Sequence, residues 1–343
     1  MKQLRVGIMG ASGYSGEELL RLLSRHPSAE ICWVTSRTYA GAPIGDVFPR
    51  FADLSLQFVE PDVEALAGQI DLAFLALPHG LAADYAAPLL AAGVWVVDIS
   101  ADFRLRDPAA YALYYGGAHP APALLAEAVY GLPERYREQL GGARLVACPG
   151  CYPTSIILPV APILEAGIGA GVGIMVASMS GVSGAGRKVD LPFIFPECNE
   201  SVRPYAVTGH RHLPEIEQEL TVANGAQAVR VNFIPHLVPI NRGIHSTIIM
   251  EAEPGVDAGD VHEVLTRAYA DEPFVRVLPL GKLADTKHVS MTNVCEIGGA
   301  FDARTKRIIL SSAIDNLTKG ASGQAVQCMN VVTGLPETTG LVL

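Results

Sequence analysis

Charged residues are scarce in this chain, and none are clustered by sign. They make up 17% of the 343 residues, the formal net charge is −10, and no run of like charges occurs. Nucleic-acid binding normally requires a basic stripe along one face, which this sequence lacks. We therefore exclude a nucleic-acid-binding protein and interpret the negative excess as a solvated surface.

Uninterrupted apolar stretches are also missing. Residues 155–182 are only weakly polar, but Pro159, Pro162 and Glu165 interrupt them, whereas a spanning helix needs about 20 mostly apolar residues. Near the N-terminus, a glycine turn stands where a signal peptide would need its apolar core. The sequence thus predicts a cytoplasmic protein with no membrane association.

Cysteine is sparse as well, with six residues scattered over the chain. Without a signal peptide, this pattern is not typical of a disulfide framework. Half of the residues are apolar, which is enough for a sizeable core. At this length, two domains are expected.

Short apolar strands alternate with helix-like segments in the first part of the chain. The predicted strands are Arg5–Met9, Ile31–Ser36, Asp71–Leu77, Val94–Ile99 and Arg144–Ala147. This alternation predicts an α/β fold with a parallel sheet covered on both faces. After Cys151 the pattern changes, and residues 229–234 and 245–251 alternate as antiparallel strands do. A second, α+β domain with a mixed sheet is expected there.

A glycine turn follows the first predicted strand. It contains Gly10, Ser12, Gly13, Tyr14 and Ser15 and leads directly into a helix. Small residues at such a junction let the backbone approach a pyrophosphate, and the helix N-terminus supplies N–H groups. The spacing departs from G-x-G-x-x-G, and glycines also form ordinary turns. The strand–turn–helix context nevertheless favours dinucleotide binding.

The end of the second strand refines the cofactor. A carboxylate would bind a ribose 2′-hydroxyl there, but the chain has Ser36 and Arg37 instead. A hydroxyl and a guanidinium suit a 2′-phosphate, so NADP(H) is predicted over NAD, although Arg37 could also be an ordinary surface residue. Pro78 and His79 follow another strand, at the crevice where such sheets bind ligands, and are assigned to the cofactor site.

The segment CPGCYPT, at 148–154, carries the most chemistry. Cys151 precedes a helix, whose N–H groups and dipole lower the pKa of a thiol and make it a nucleophile. Two alternatives use Cys148 as well: a redox dithiol and half of a zinc site. Zinc would need a second pair of ligands, which the sequence does not offer, so no metal is predicted. A dithiol is typical of a smaller fold with the motif near its start.

A nucleophilic cysteine needs an acid–base partner. The segment GHRH, with His210 and His212, precedes a predicted helix and is the main candidate, with His79 as the other. Arg104 and Arg242 suit an anionic substrate, because arginine forms bidentate pairs with phosphate and carboxylate. Each could equally be part of a surface ion pair.

Eight segments together carry a resemblance over nearly the whole chain. They are GASGYSGEELL, LPHG, DISADFR, PGCYPT, SGVSGAGRK, GHRHLPEI, PHLVPINRGI and DNLTKGASGQAVQ. In this order they resemble the N-acetyl-gamma-glutamyl-phosphate reductases, the arginine-biosynthesis branch of the aspartate-semialdehyde dehydrogenase-like family. The resemblance implies an NADP-binding Rossmann domain at 1–150 and 315–343, closed by a C-terminal helix. Residues 151–314 would form the catalytic and dimerisation domain, in a homodimer or homotetramer.

The resemblance also implies roles for single residues. Cys151 would be the nucleophile and His210 the acid–base group, with His212 as the alternative and otherwise a substrate contact. Arg104 and Arg242 would bind the substrate. Further cofactor contacts are expected from the second glycine-rich turn and the last segment, at Ser183, Gly184, Gly186 and Asn316. Family members often have Asn where this chain has Cys148, which leaves the mechanism intact.

The chemistry implied is reduction of a small acyl phosphate through a Cys151 thioester, with NADPH as the hydride source. A reductase of carrier-protein-linked aminoadipyl or glutamyl phosphate, from lysine biosynthesis, shares every motif. Such a carrier is acidic and would favour a basic rim, whereas this chain is acidic overall. A redox-sensing regulator on the same fold is a third alternative, without any DNA-binding appendage to support it.

Overall fold

The structure is a computed structural model that describes residues 3–187 and 189–343. The chain divides into two compact units. The first consists of Met1–Pro149 and Ala321–Leu341, and the second of Gly150–Gly320 and Val342–Leu343. Among the described residues, no helix combines the length and apolar character needed to cross a membrane.

The first unit contains a seven-stranded sheet in the order β3-β2-β1-β4-β5-β7-β6, with all pairings parallel. Its strands are β1 (Leu4–Met9), β2 (Ala29–Thr35), β3 (Phe58–Val59), β4 (Leu72–Leu75), β5 (Trp95–Asp98), β6 (Val129–Tyr130) and β7 (Leu145–Ala147). The order reverses direction at β1, next to β4. Ligands bind at such switch points of open α/β sheets.

The α-helices that the structure describes between these strands are α1 (Tyr14–Leu23), α2 (Ile44–Val47), α3 (Val63–Leu66), α4 (Ala82–Ala91), α5 (Pro108–Tyr115), α6 (Pro122–Leu125) and α7 (Pro133–Leu140). Both sheet faces are covered. Val6 and Ile8 of β1 pack in a core with Leu19 of α1, whereas Met9 belongs to another core, with Leu89 of α4. The doubly covered parallel sheet predicted from the alternation is confirmed.

The second unit contains a mixed seven-stranded sheet in the order β12-β13-β14-β11-β8-β10-β9. Its strands are β8 (Ile174–Ser180), β9 (Arg203–Pro204), β10 (Val231–Leu237), β11 (Ile244–Glu251), β12 (Val275–Val277), β13 (Cys295–Asp302) and β14 (Arg307–Ile314). In β8 every second residue is buried, so helices cover one face of the sheet. The predicted mixed sheet is confirmed.

One detail of that prediction is wrong. The alternation at 229–234 was interpreted as antiparallel pairing, yet β10 pairs in parallel with β8 from Val231 to Leu237 and is antiparallel only to the short β9. Alternation reports that one face is buried and the other is not. It does not report the direction of the neighbouring strand.

The helices of the second unit are α8 (Cys151–Glu165), α9 (Phe195–Cys198), α10 (Leu213–Ala223), α11 (Ala258–Ala268) and α12 (Thr286–Val289). Among them α8 is the most deeply placed, with every residue from Tyr152 to Leu164 buried. It packs on β11 and β14 and against α10 and α11. The chain then re-enters the first unit, where α13 (Gly323–Val332) packs against α1 and α7.

Candidate active site

Cys151 is the first residue of α8, and Gly150 is the preceding N-cap. Glu215, in the first turn of α10, is almost fully buried, and its Oε1 accepts a hydrogen bond of 2.8 Å from the Gly150 N–H. This contact fixes the backbone immediately before the cysteine. The N–H groups at the start of α8 and its positive dipole end stabilise a thiolate. The half-buried Cys151 thiol therefore occupies a position suited to a nucleophile.

Cys151 opens onto a cavity of about 560 Å³ within the second unit. The cavity is lined by residues of α8, β8, the segment between β8 and α10, and β10. They are Cys151, Tyr152, Ser180, Gly181, Gly184, Ala185, Pro192, Phe193, Arg203, Tyr205, Ala206, Gly209, His210, Arg211, His212 and Leu237. Both histidines predicted from the GHRH segment thus share one cavity with the cysteine.

His210 is held in a cage of aromatic rings. Its ring lies edge-on to those of Tyr152 and Phe233, with centroids 5.3 Å away in each case. Burial lowers the pKa of His210 to about 4, and the Arg211 charge adds to the effect, so the imidazole is neutral at pH 7. Its Nδ1 accepts the His212 backbone N–H at 3.1 Å, which assigns the ring proton to Nε2. His210 therefore has its Nε2–H available as a hydrogen-bond donor.

Two tyrosine hydroxyls adjoin the histidine. The hydroxyls of Tyr152 and Tyr205 lie 2.8 Å apart. Burial raises the pKa of Tyr205 to about 12 and raises that of Tyr152 as well. Both hydroxyls are therefore protonated at neutral pH, and they add neutral donors to this wall of the cavity.

Two arginines of the cavity, Arg203 and Arg211, were given no role from the sequence. Arg203 donates from Nη2 to the Pro192 carbonyl at 2.7 Å and from Nη1 to the Ser201 hydroxyl at 3.3 Å. Arg211 stands between the two histidines. No carboxylate occurs among the described lining residues, so the cavity is electropositive and suits an anionic ligand. The Arg-x-Tyr spacing before GHRH was the available signal, but it resembles an ordinary loop.

The second glycine-rich turn meets the last predicted segment. The Asn316 side chain donates to the Ser183 hydroxyl at 3.0 Å and accepts the Gly243 N–H at 2.7 Å. Gly184 lines the cavity, and a Cβ there would meet the Ser180 hydroxyl at 3.1 Å. The structure thus brings Ser183, Gly184 and Asn316 together. Gly186, at φ 71°, ends the same turn, whereas Lys188 of the quoted motif lies outside the described residues.

The two predicted substrate arginines lie in different units. Arg242, in the second, forms a bidentate pair with the buried Asp315 (2.9 and 2.8 Å) and reaches Thr318. Arg104, in the first, is almost fully buried and donates to the carbonyls of Cys148 and Ile99, at 2.8 and 2.7 Å. These bonds are made within the protein. For both residues, binding of substrate stays a prediction.

The N-terminal glycine turn of the first unit joins β1 to α1. Gly10 has φ 79°, and a Cβ there would clash with the Ala76 carbonyl. A Cβ on Gly13 would meet only the Gly10 carbonyl, at 3.6 Å, so the backbone is open at the N-cap of α1. Tyr14 and Ser15 begin the helix. An open backbone at a helix N-terminus fits a pyrophosphate.

Hydroxyls and a cation surround this turn. Ser12 and Ser36 lie 3.0 Å apart, Oγ to Oγ, and the exposed Arg37 donates to the Tyr85 hydroxyl at 2.8 Å. Pro78 and His79 lie in the loop before α4, where Asp102 accepts the Gly80 N–H at 2.6 Å. With no acid at the end of β2, the donor set fits a 2′-phosphate better than a 2′-hydroxyl.

Cys148 belongs to the first unit and is fully buried. Burial raises the pKa of its thiol well above the usual value, and the neighbouring Cys328 thiol adds to the effect. All six cysteines are free thiols in the described part of the chain. Buried and protonated, Cys148 is unreactive at neutral pH, which argues against the dithiol alternative.

Comparison with known domain families gives two matches. The semialdehyde dehydrogenase NAD-binding domain matches residues 5–143, and the semialdehyde dehydrogenase dimerisation domain matches residues 151–316. The chain therefore carries a domain of the type through which these proteins assemble.

Similarity to curated proteins extends over the full length. An N-acetyl-gamma-glutamyl-phosphate reductase from Akkermansia muciniphila is 53% identical over 99% of this chain and 99% of its own length. That from Pseudomonas syringae is 49% identical over 98% of each chain, and that from Symbiobacterium thermophilum 49% identical over 99% and 97%. This chain belongs to the N-acetyl-gamma-glutamyl-phosphate reductase family. The family resemblance found in the sequence is confirmed.

Solved structures of more distant proteins share the fold of this reductase family member. Aspartate semialdehyde dehydrogenase II from Vibrio cholerae superposes with a TM-score of 0.75 at 18% identity, covering 97% of this chain and 99% of that one. The Candida albicans aspartate semialdehyde dehydrogenase with NADP gives 0.69 at 17% identity, over 97% and 99%. The predicted fold class, a Rossmann domain plus an α+β domain, is confirmed.

Proposed function

We propose that this protein reduces N-acetyl-gamma-glutamyl phosphate to N-acetyl-glutamate semialdehyde and phosphate, with NADPH as reductant. The observation that carries the proposal is the electropositive cavity of the second unit, which joins Cys151 at a helix N-terminus with a neutral His210. A substrate bearing a carboxylate and a phosphate suits its two arginines, Arg203 and Arg211. The relatives that are about half identical over their full length bear the same name.

The chemistry begins at Cys151. Its thiolate attacks the acyl carbonyl, the C–O bond to phosphate breaks, and phosphate leaves with the bonding electrons, so that a thioester remains on Sγ. When bound, NADPH would supply the hydride that reduces this thioester. The residues that would hold NADPH are Gly10, Ser12, Gly13, Tyr14, Ser15, Ser36 and Arg37.

His210 stabilises the charge on the reacting oxygen. In the thiohemiacetal stage, its neutral Nε2–H donates a hydrogen bond to the negatively charged oxygen. When the C–S bond breaks, an electron pair of that oxygen forms the semialdehyde carbonyl, and Cys151 leaves as the thiolate. The low pKa of His210, about 4, keeps the ring neutral at pH 7 and the donor proton on Nε2.

We also propose that the protein works as a homodimer or homotetramer. The uncovered face of the mixed sheet supports this, because Met175, Met179 and Ile234 are large apolar side chains with 47, 45 and 39% of their area exposed. Such a patch on a dimerisation domain is typical of a subunit contact. Light scattering of the purified protein measures the subunit count.

The decisive assay runs the reaction backwards. Phosphate-dependent reduction of NADP⁺ with N-acetylglutamate semialdehyde is expected, and omission of phosphate should abolish it. The carrier-linked alternative is tested in the forward direction, with aminoadipyl phosphate on its acidic carrier protein. Turnover with the carrier-linked compound and none with the free one would contradict the proposal, and the net charge of −10 argues against an acidic partner.

A further inference from the structure

The helix that presents Cys151 contains two prolines in its interior, Pro159 and Pro162. Proline has no N–H, so the carbonyl four residues earlier loses its helical partner. The two carbonyls concerned are those of Ser155, for Pro159, and Leu158, for Pro162. Both residues are fully buried. A buried carbonyl left without a donor destabilises the fold, so α8 needs donors from outside itself.

Two hydroxyls from distant parts of the second unit supply them. The Ser312 hydroxyl, on β14, donates to the Ser155 carbonyl. The Tyr269 hydroxyl, which follows α11, donates to the Leu158 carbonyl. Each replaces the N–H that a proline removed, and each donor is buried.

Ser312 belongs to a row of three serines across the centre of the mixed sheet. Ser246 of β11 pairs in register with Ser178 of β8 on one side and with Ser312 of β14 on the other. All three are fully buried, and Ser246 and Ser312 reach Ser155 of α8. Two adjacent strands therefore present hydroxyls to one turn of one helix, and Ser178 of the third strand reaches it through Ser246.

The protons of this network can be assigned. The Ser155 hydroxyl donates to the Tyr152 carbonyl at 2.9 Å. Since a hydroxyl has one proton, it must accept from Ser246 at 2.8 Å, and Ser246 must accept from Ser178 at 2.6 Å. All the O–H groups point towards the first turn of α8, and such aligned hydrogen bonds strengthen one another.

We propose that Ser312, with the hydroxyl chain of Ser178 and Ser246, is a positioning device for Cys151 that acts through Ser155. Ser155 lies one helical turn beyond the cysteine, and its N–H is the α-helical partner of the Cys151 carbonyl. Because the sheet holds both the hydroxyl and the carbonyl of Ser155, the sheet sets the depth and direction of the first turn. The N–H groups that stabilise the thiolate are aimed accordingly.

The test is the reactivity of Cys151 in Ser312→Ala. The native protein is alkylated with iodoacetamide over a range of pH, and the Cys151 peptide is quantified by mass spectrometry. We expect the midpoint of the profile to rise by about one pH unit. In turnover, kcat should fall roughly tenfold, with less than about a twofold change in the KM of the acyl phosphate. A wild-type alkylation profile would overturn the proposal.

Tyr269→Phe is the matched control. It removes the hydroxyl that replaces the N–H missing at Pro162. That hydroxyl bonds to the Leu158 carbonyl, nearly two turns from Cys151. We expect a lower melting temperature and an unchanged alkylation profile. If both variants shift the profile equally, the effect is a general loosening of the second unit, and the proposal is wrong.

Pro159→Ala provides the rescue, because alanine restores the N–H that Ser312 replaces. The double variant Ser312→Ala/Pro159→Ala should regain the wild-type alkylation profile. A folded double variant with the shifted profile would overturn the proposal. If Ser312→Ala does not fold alone, the double variant decides: recovery of folded protein with the wild-type profile supports the proposal, and failure to fold counts against it.

The inference depends on the proposed role of Cys151 as nucleophile, but alkylation requires neither substrate nor cofactor. A shifted and rescued profile in a protein that does not turn over N-acetyl-gamma-glutamyl phosphate would reject the proposed substrate and leave the positioning role standing. Turnover of N-acetyl-gamma-glutamyl phosphate, with an unchanged alkylation profile in Ser312→Ala, would support the proposed substrate and reject the positioning role.

Discussion

The two units build their sites in different ways. In the first, the candidate cofactor site is made mainly of consecutive backbone, from Gly10 to Ser15, between one strand and one helix. In the second, the cavity collects side chains from Cys151 to Leu237, on elements that are far apart in sequence. A backbone site depends on local conformation, whereas a side-chain site depends on tertiary packing. Substitutions should therefore separate cofactor binding from thiol chemistry.

Burial raises the pKa of a carboxyl group in the first unit and lowers the pKa of an imidazole in the second. In the first, burial and then repulsion by Asp102 raise the pKa of Asp98 to about 7. In the second, burial lowers the pKa of His210 to about 4. Both shifts disfavour the charged form, yet they tie stability to pH in opposite directions.

The largest effect is expected from Cys151→Ser. A serine hydroxyl is not ionised at neutral pH, so turnover should fall roughly 10⁴-fold or more. Binding of NADPH, measured by its fluorescence, should be unchanged if the first unit binds it independently. Cys148→Ala is the control and should retain turnover. Loss of activity in that control would revive the dithiol mechanism.

Gly10→Ala tests whether cofactor binding can be impaired while the chemistry of the Cys151 thiol is unchanged. Its φ of 79° and the adjacent Ala76 carbonyl leave no room for a Cβ, so the turn must distort, and the affinity for NADPH should fall roughly a hundredfold. Alkylation of Cys151 should be unaffected. Gly68→Ala is the control, because a Cβ there meets nothing within 4 Å. Equal losses of affinity in both variants would refute the close-approach argument.

Asp98→Asn should remove a loss of stability that the first unit undergoes as the pH rises. The folded-state pKa of about 7 lies above the usual 3.8. The stability associated with this group is therefore full below 3.8 and lost as the pH rises through about 7. Urea unfolding should show the wild type losing about 2–4 kcal/mol between pH 4 and 8 relative to the variant. Parallel curves would mean that Asp98 is not the responsible group.

His210→Asn should remove a pH dependence of the opposite sign, in which the free energy of unfolding falls on acidification. The folded-state pKa of about 4 lies below the usual 6.5. The associated stability is full above 6.5 and lost as the pH falls through about 4. Relative to the variant, the wild type should lose at most about 3 kcal/mol on acidification over that range. An acid-induced loss that persists unchanged in the variant would place the titrating group elsewhere.

The smallest effect is expected from Arg37→Ala. If Arg37 binds the 2′-phosphate as proposed, loss of its exposed charge should raise the KM for NADPH roughly tenfold and leave that for NADH unchanged. Arg25→Ala, also exposed, is the control for a general change of charge. A wild-type enzyme that prefers NADH would contradict the assignment of NADP altogether.

Five of the seven strands of the first unit could be predicted from local sequence, because glycine placement and apolar periodicity act over a few residues. The two-residue strands β3 and β6 are too short to show a periodicity, and they were not predicted. The sequence predicts a helix directly after Cys151, and α8 begins at Cys151 itself. These features need no knowledge of distant contacts.

The second unit resisted local interpretation for physical reasons. Arg203 faces the cavity only because β9 is held at the edge of the sheet, and no nearby pattern reports that. The direction of β10 depends on its partner strand, which alternation does not encode. His210 and His212 are the same residue type, so the sequence does not say which of them would be the acid–base group. The hydrogen bond from the His212 N–H to His210 Nδ1 favours His210 and depends on the folded loop.

The two prolines inside α8, which leave two carbonyls to be paired by distant hydroxyls, also have a consequence for folding. The donor for the Ser155 carbonyl comes from a residue 157 positions later in the chain, and that for Leu158 from one 111 positions later. Contacts of such sequence separation form late, because long loops must close first. We therefore expect a chain still emerging from the ribosome to carry Cys151 on an incomplete helix. Its thiol should acquire full reactivity only after β14 has joined the sheet.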